Sequence, residues 1–148
     1  MTTQTIKASI DINAPKEKVW EVLLGHKYIQ IWYTAFGEGI TADTDWQLGS
    51  KAVFVDNKGS GMIGKIVQHI PNEMIDIEYE GIMVDGKEDY NSIAANDMKG
   101  THETYCLSSK DHATNLSIEC EMDDAYYEMM SSAWEKALQK IKQLSESN

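Results

Sequence analysis

The sequence predicts an α+β domain in which a curved antiparallel sheet wraps around one long C-terminal helix. Three observations predict it. From Asp123 to Leu144 the apolar residues Tyr126, Met130, Ala133, Trp134, Ala137, Leu138, Ile141 and Leu144 recur in steps of three and four, the spacing of one helical face. After Phe36, short alternating runs are punctuated by glycine, the signature of antiparallel strands and hairpins. Strands and helices are also segregated along the chain, as in α+β folds, rather than interleaved.

Taken in order, Thr5 to Ile12 alternates, with Ile6, Ala8, Ile10 and Ile12 on one face, as a half-buried strand does. Pro15 suits the first turn of a helix that runs to about Leu24, and Gly25 stops it. A second short helix, His26 to Tyr33, is dense in aromatics. Lys51 to Asp56 and Met62 to Ile70 read as a hairpin around Asn57-Lys58-Gly59-Ser60-Gly61. Met74 to Glu80 turns Ile75, Ile77 and Tyr79 one way and Asp76, Glu78 and Glu80 the other. Gly81 to Gly100 reads as a loop or irregular insertion, long enough to be functional. Gly100 to Ser108 and Asn115 to Met122 form a last hairpin around Ser109-Lys110-Asp111-His112. The final helix would be roughly 33 Å long for about 22 residues, with Asp123 and Asp124 at its positive end.

With 148 residues the chain is expected to be a single domain, 1–148, with a real core. No apolar run approaches the eighteen or so residues of a membrane-spanning helix. The N-terminus is short and polar, so a cytoplasmic protein is expected. The net charge of −11 excludes nucleic acid and anionic membranes as partners. Cys106 and Cys120 have no second pair, which points to reduced packing residues and not to zinc or a disulfide. His26, His69, His102 and His112 show no metal-ligand spacing, so neither a metal nor another cofactor is expected. Gly59-x-Gly61-x-x-Gly64 spells a dinucleotide fingerprint but lies in a hairpin with no helix after it.

Several segments resemble the SRPBCC, or START-like, superfamily of helix-grip folds, which includes the birch pollen allergen. They are Ile10-Asp11-Ile12-Asn13-Ala14-Pro15 followed by Val19-Trp20-Glu21-Val22-Leu23, Trp32-Tyr33 with Gly49 after it, Gly64-Lys65-Ile66-Val67 leading through Pro71 into Ile75-Asp76-Ile77-Glu78-Tyr79, and the closing helix with Trp134 and Leu138. Within the superfamily the chain looks closest to bacterial proteins similar to the activator of heat shock protein 90 ATPase, in its C-terminal domain. The resemblance implies six or seven strands around the helix and a cavity between them. It implies one of three functions: binding a small apolar or lipid-like ligand, docking to a chaperone, or cyclase- or hydrolase-type catalysis. The chain is too short to contain the N-terminal chaperone-contacting domain of the eukaryotic activator. A monomer or a homodimer fits equally.

Trp32, Tyr33, Phe36, Phe54, Met62, Tyr79, Tyr90, Tyr105, Met130 and Trp134 lie on elements that should converge on the long helix. Aromatics and adaptable methionines line apolar pockets, and they also fill plain cores; both arrangements fit this set. His102 and Glu103 are neighbours in a strand and must face opposite ways. Alternation groups Glu103 with Tyr105, so Glu103 joins the candidate ligand-binding residues and the two could serve as acid and base. No residue set compels catalysis.

Overall fold

The computed structural model describes residues 2–147. Among the described residues, eight strands and four α-helices follow one another as β1 (Thr3–Ile12), α1 (Lys16–Leu24), α2 (His26–Trp32), β2 (Thr41–Asp43), β3 (Lys51–Val55), β4 (Gly61–Ile70), β5 (Met74–Val84), β6 (Lys87–Asp89), α3 (Ile93–Met98), β7 (His102–Lys110), β8 (Ala113–Asp123) and α4 (Tyr127–Glu146). The antiparallel sheet runs β1-β8-β7-β5-β4-β3-β2, and short β6 pairs with the far half of β5. The fold is the α+β architecture expected, with α4 packed against β1, α1 and α2.

Period-two burial fixes which face of the sheet holds the core. Thr114, Leu116, Ile118, Cys120 and Met122 of β8 are all buried, and Ile75, Ile77 and Tyr79 of β5 join them. Trp134, Ala137, Leu138 and Ile141 of α4 close the core from the other side. Both cysteines are free thiols. Among the described residues no helix is long and apolar enough to cross a membrane.

Four expectations change. The segment from Gly81 to Gly100 is not a loop. β5 continues to Val84, turns at Asp85-Gly86 into β6, and leads to α3, whose N-terminus is capped by Ser92 Oγ accepting from Ala95 N. β2 is an additional edge strand. The last hairpin turns tightly on Asp111 and His112, both in the left-handed region. That geometry matches the right-handed twist of the flanking strands, and so β7 and β8 extend to the turn. Finally, α4 begins at Tyr127, because Asp123 ends β8 and its carboxylate caps a single 3₁₀ turn instead. Tyr126 lies in that turn and is 56% exposed, not on the buried face.

Candidate functional site

Between the sheet and α4 the side chains leave a cavity of about 100 Å³. Trp32, Tyr33, Phe36 and Ile40 reach it from α2 and the segment beyond, Phe54 from β3, Met62 from β4 and Tyr79 from β5. Glu103 and Tyr105 enter from β7, and Met130 and Trp134 from α4. The rings pack mostly edge to face: Trp32 lies 4.6 Å from Tyr33, Phe36 lies 4.9 Å from Trp134, and Tyr105 lies 5.8 Å from Trp134 between ring centres. Such offset arrangements match the negative faces and positive edges of the rings.

Every candidate residue named from the sequence lines this cavity except Tyr90. Gly81 lacks a side chain, and the Tyr90 ring fills the slot: a Cβ on Gly81 would stand 2.7 Å from Tyr90 Cδ1. The Tyr90 hydroxyl bonds to Glu88, away from the cavity. Ile40 lines the cavity without having been singled out; one isoleucine after a glycine-rich stretch carries no periodic signal.

One acidic side chain sits in this apolar space. The Tyr105 hydroxyl donates to Glu103 Oε2, the Cys120 thiol lies 3.5 Å from Oε1, and Tyr79 lines the same space. The open side of Glu103 faces the cavity rather than bulk water. Burial therefore pushes its pKa up, and the Tyr105 hydroxyl, the Cys120 thiol and the nearby Tyr79 hydroxyl pull against that rise. Burial, reinforced by the Glu103 charge, also pushes up Tyr33, Tyr79, Tyr105 and the Cys120 thiol. Cys120 was missed as a partner because only the β7–β8 register, which sets it opposite Glu103, brings them together. The Trp134 indole N–H is buried without a hydrogen bond of normal geometry, and it partly offsets the rise at Cys120.

A second recess of about 330 Å³ adjoins the first, sharing Met62, Tyr79, Glu103 and Met130 with it. Its outer walls come from Ile82, from Ala94, Asp97 and Met98 of α3, and from Cys120 to Asp123 and Tyr126. The segment expected to be a loop thus supplies an ordered wall of the recess.

His102 faces the opposite side of the sheet. Its Nδ1 lies 2.9 Å from Asp76 Oδ1, which Thr104 Oγ1 also reaches at 3.1 Å, and its Nε2 lies 3.6 Å from Glu78. The Asp76 bond holds its proton and raises its pKa, against desolvation. For both Glu103 and His102 the folded value lies above the unfolded one. Each contributes stability that is complete below its unfolded pKa and is lost as pH rises through its folded pKa. Unfolding by urea in steps from about pH 8 to about pH 4 should therefore show wild type gaining on Glu103→Gln in the lower part of that range. The gain over His102→Gln should come in the upper part. Parallel curves for wild type and both variants would contradict these assignments. Among the described residues no group of three His, Cys, Asp or Glu side chains is placed to hold a metal ion.

A long helix gripped by a curved antiparallel sheet, with an aromatic recess between them, defines a START-like domain of the SRPBCC superfamily. Within it, the chain belongs to the family described as activator of Hsp90 ATPase homolog 1-like protein, whose model matches residues 13–146. The Aha1 dimer of Colwellia psychrerythraea, solved in solution, is similar at 21% identity and a TM-score of 0.70, covering 97% of this chain and 96% of that one. A protein of Mesorhizobium loti is similar at 17% identity and a TM-score of 0.73 over 95% and 96% of the two chains. A protein of Chromobacterium violaceum is similar at 19% identity and a TM-score of 0.72 over 97% and 98%. At these identities the likeness establishes the fold. No functionally curated protein matches the sequence.

Proposed function

We propose that this chain binds a small, largely apolar molecule between its sheet and α4. The observation that carries the reading is the inner cavity, where aromatic rings from α2, β3, β5, β7 and α4 surround a single carboxyl group already held by side-chain donors. An apolar pocket with a few convergent polar groups is the usual form of a small-molecule site. The inner cavity alone is small. With the adjoining recess there is room for a ligand that places one polar end at Glu103 and its apolar remainder against Ile82, Met98 and Met122. The free thiols suit the reducing cytoplasm as the place of action.

Native mass spectrometry of protein purified from its own host, followed by gentle denaturation, tests the reading. A reproducible small companion is expected, and adding it back should raise the unfolding temperature, because it binds the native state alone. A companion that leaves the unfolding temperature unchanged would sink the proposal.

The family match favours a second reading, a module that docks to a chaperone. Exposed Tyr126 at the outer recess, with exposed Ile93 of α3 and Met129 of α4, supplies the apolar contacts such docking would use. A bare protein that no apolar compound stabilises would put this reading first.

A further inference from the structure

We infer that the polar end of the ligand is a cation, so that the site selects an aliphatic ammonium carrying an apolar tail. The inference rests on the binding reading above and names the ligand class. It comes from the charges and hydrogen-bonding capacity of the two adjoining spaces. The charged residues in their linings that face inward or stand at the rim are Glu103 within and Asp97 and Asp123 further out, whereas Glu121 turns its carboxylate to His102 N, and neither lining contains a lysine or histidine. An anionic head group would meet only like charge on entry. The chain as a whole, at −11, adds to that bias.

The carboxyl of Glu103 is arranged to accept. A carboxylate has about four lone-pair positions. Tyr105 and Cys120 take up two of these partnerships. The remaining capacity faces the cavity, where a ligand N–H would complete the set. The rings of Trp32, Phe36, Phe54 and Trp134 line the same space. Ring faces attract cations, most strongly where water is excluded, and aromatic enclosures of this kind are how ammonium groups are recognised. The volumes divide the ligand accordingly. About 100 Å³ within suits a compact head group, and about 330 Å³ outside, walled by Met62, Ile82, Met98, Met122 and Met130, suits an alkyl tail.

Three probes share one tail and differ only in the head: hexylammonium, hexan-1-ol and hexanoate. Their affinities for the full chain are measured by calorimetry at neutral pH. The expected order is hexylammonium first, by about tenfold or more over hexanol given a carboxylate contact shielded from bulk water, with hexanoate last. Glu103→Gln should remove most of the difference between hexylammonium and hexanol. Equal binding of hexanol and hexylammonium to the wild-type protein would overturn the cation assignment and leave the apolar-ligand reading standing. Binding by none of the three would overturn both. The wild-type comparison decides without any variant, so a folding defect in Glu103→Gln does not obscure the result.

Discussion

Replacing Trp134 with alanine should destabilise the protein by about 3–5 kcal/mol, the range for removing a buried tryptophan. The indole is 1% exposed and touches aromatic partners from α2, the segment after it and β7. Its ring centre lies 6.2 Å from Trp32, 4.9 Å from Phe36 and 5.8 Å from Tyr105. The void left behind would merge with a cavity that already exists, so neighbouring side chains cannot collapse to fill it. For a domain of this size each kcal/mol moves the midpoint by roughly 2–4 °C, which puts the expected fall near 10 °C or beyond. Thermal unfolding followed by far-ultraviolet circular dichroism measures it. Trp134→Phe, which keeps one ring against Phe36, should recover more than half of the loss. A fall of under 1 kcal/mol in the alanine variant would show that α4 is not the keystone of the core.

Gly61→Ala comes second in expected size, for a different reason. A Cβ at Gly61 would stand 1.7 Å from the carbonyl oxygen of Phe54 and 2.9 Å from Val55 Cα. Both are backbone atoms of the paired strand, so no side chain can swing aside; β3 and β4 must part. A cost of about 3 kcal/mol is expected, at the upper end for overpacking. Phe54 and Met62 flank the contact, and both line the cavity, so affinity for the proposed ligand should fall with stability. Gly86→Ala is the control. Its Cβ meets nothing within 4 Å, and only the left-handed backbone, at φ +78, resists it. That should cost about 1–2 kcal/mol. Equal losses in the two variants, measured by urea denaturation, would mean that crowding at Gly61 is relieved in some other way.

The parts of the fold that alternate with period two or recur at helical spacing were legible in the residues themselves. β1, β5 and β8 bury one face each, and α4 buries one stripe, so sequence and burial carry the same pattern. What escaped has no such face to bury. β2 is a short edge strand, and α3 buries only Ala95 while Ile93 on it is 84% exposed. Its one local sign was Ser92, three residues ahead of the N–H that it caps. The candidate site divides the same way. Alternation along β7 sets Glu103 and Tyr105 on the inner face and His102 on the outer one. The bond between Cys120 and Glu103 depends on cross-strand register, which no single strand encodes. Tyr90 resembled its aromatic neighbours in every respect that a sequence shows, and the bare backbone of Gly81 decided its place.

The chain from Tyr79 to Thr101 is closed on itself at one point, although β5 stays paired with β4 as far as Met83 before the chain turns away. Tyr79 N donates to Thr101 O at 2.9 Å, and Gly100 N donates to Tyr79 O at 3.0 Å. Because the two ends are pinned together, the length of chain between them adds little closure entropy, about 0.6 kcal/mol per doubling. The floor of the recess belongs to long strands whose register the core enforces, whereas the α3 wall hangs from a stem that fastens itself. Variation can therefore rewrite the rim beyond β5, by insertion, deletion or exchange between Asp85 and Gly100, while Glu103 and its partners on β7 and β8 stay in place. A protein built this way can reshape the rim of that recess without renegotiating how it folds.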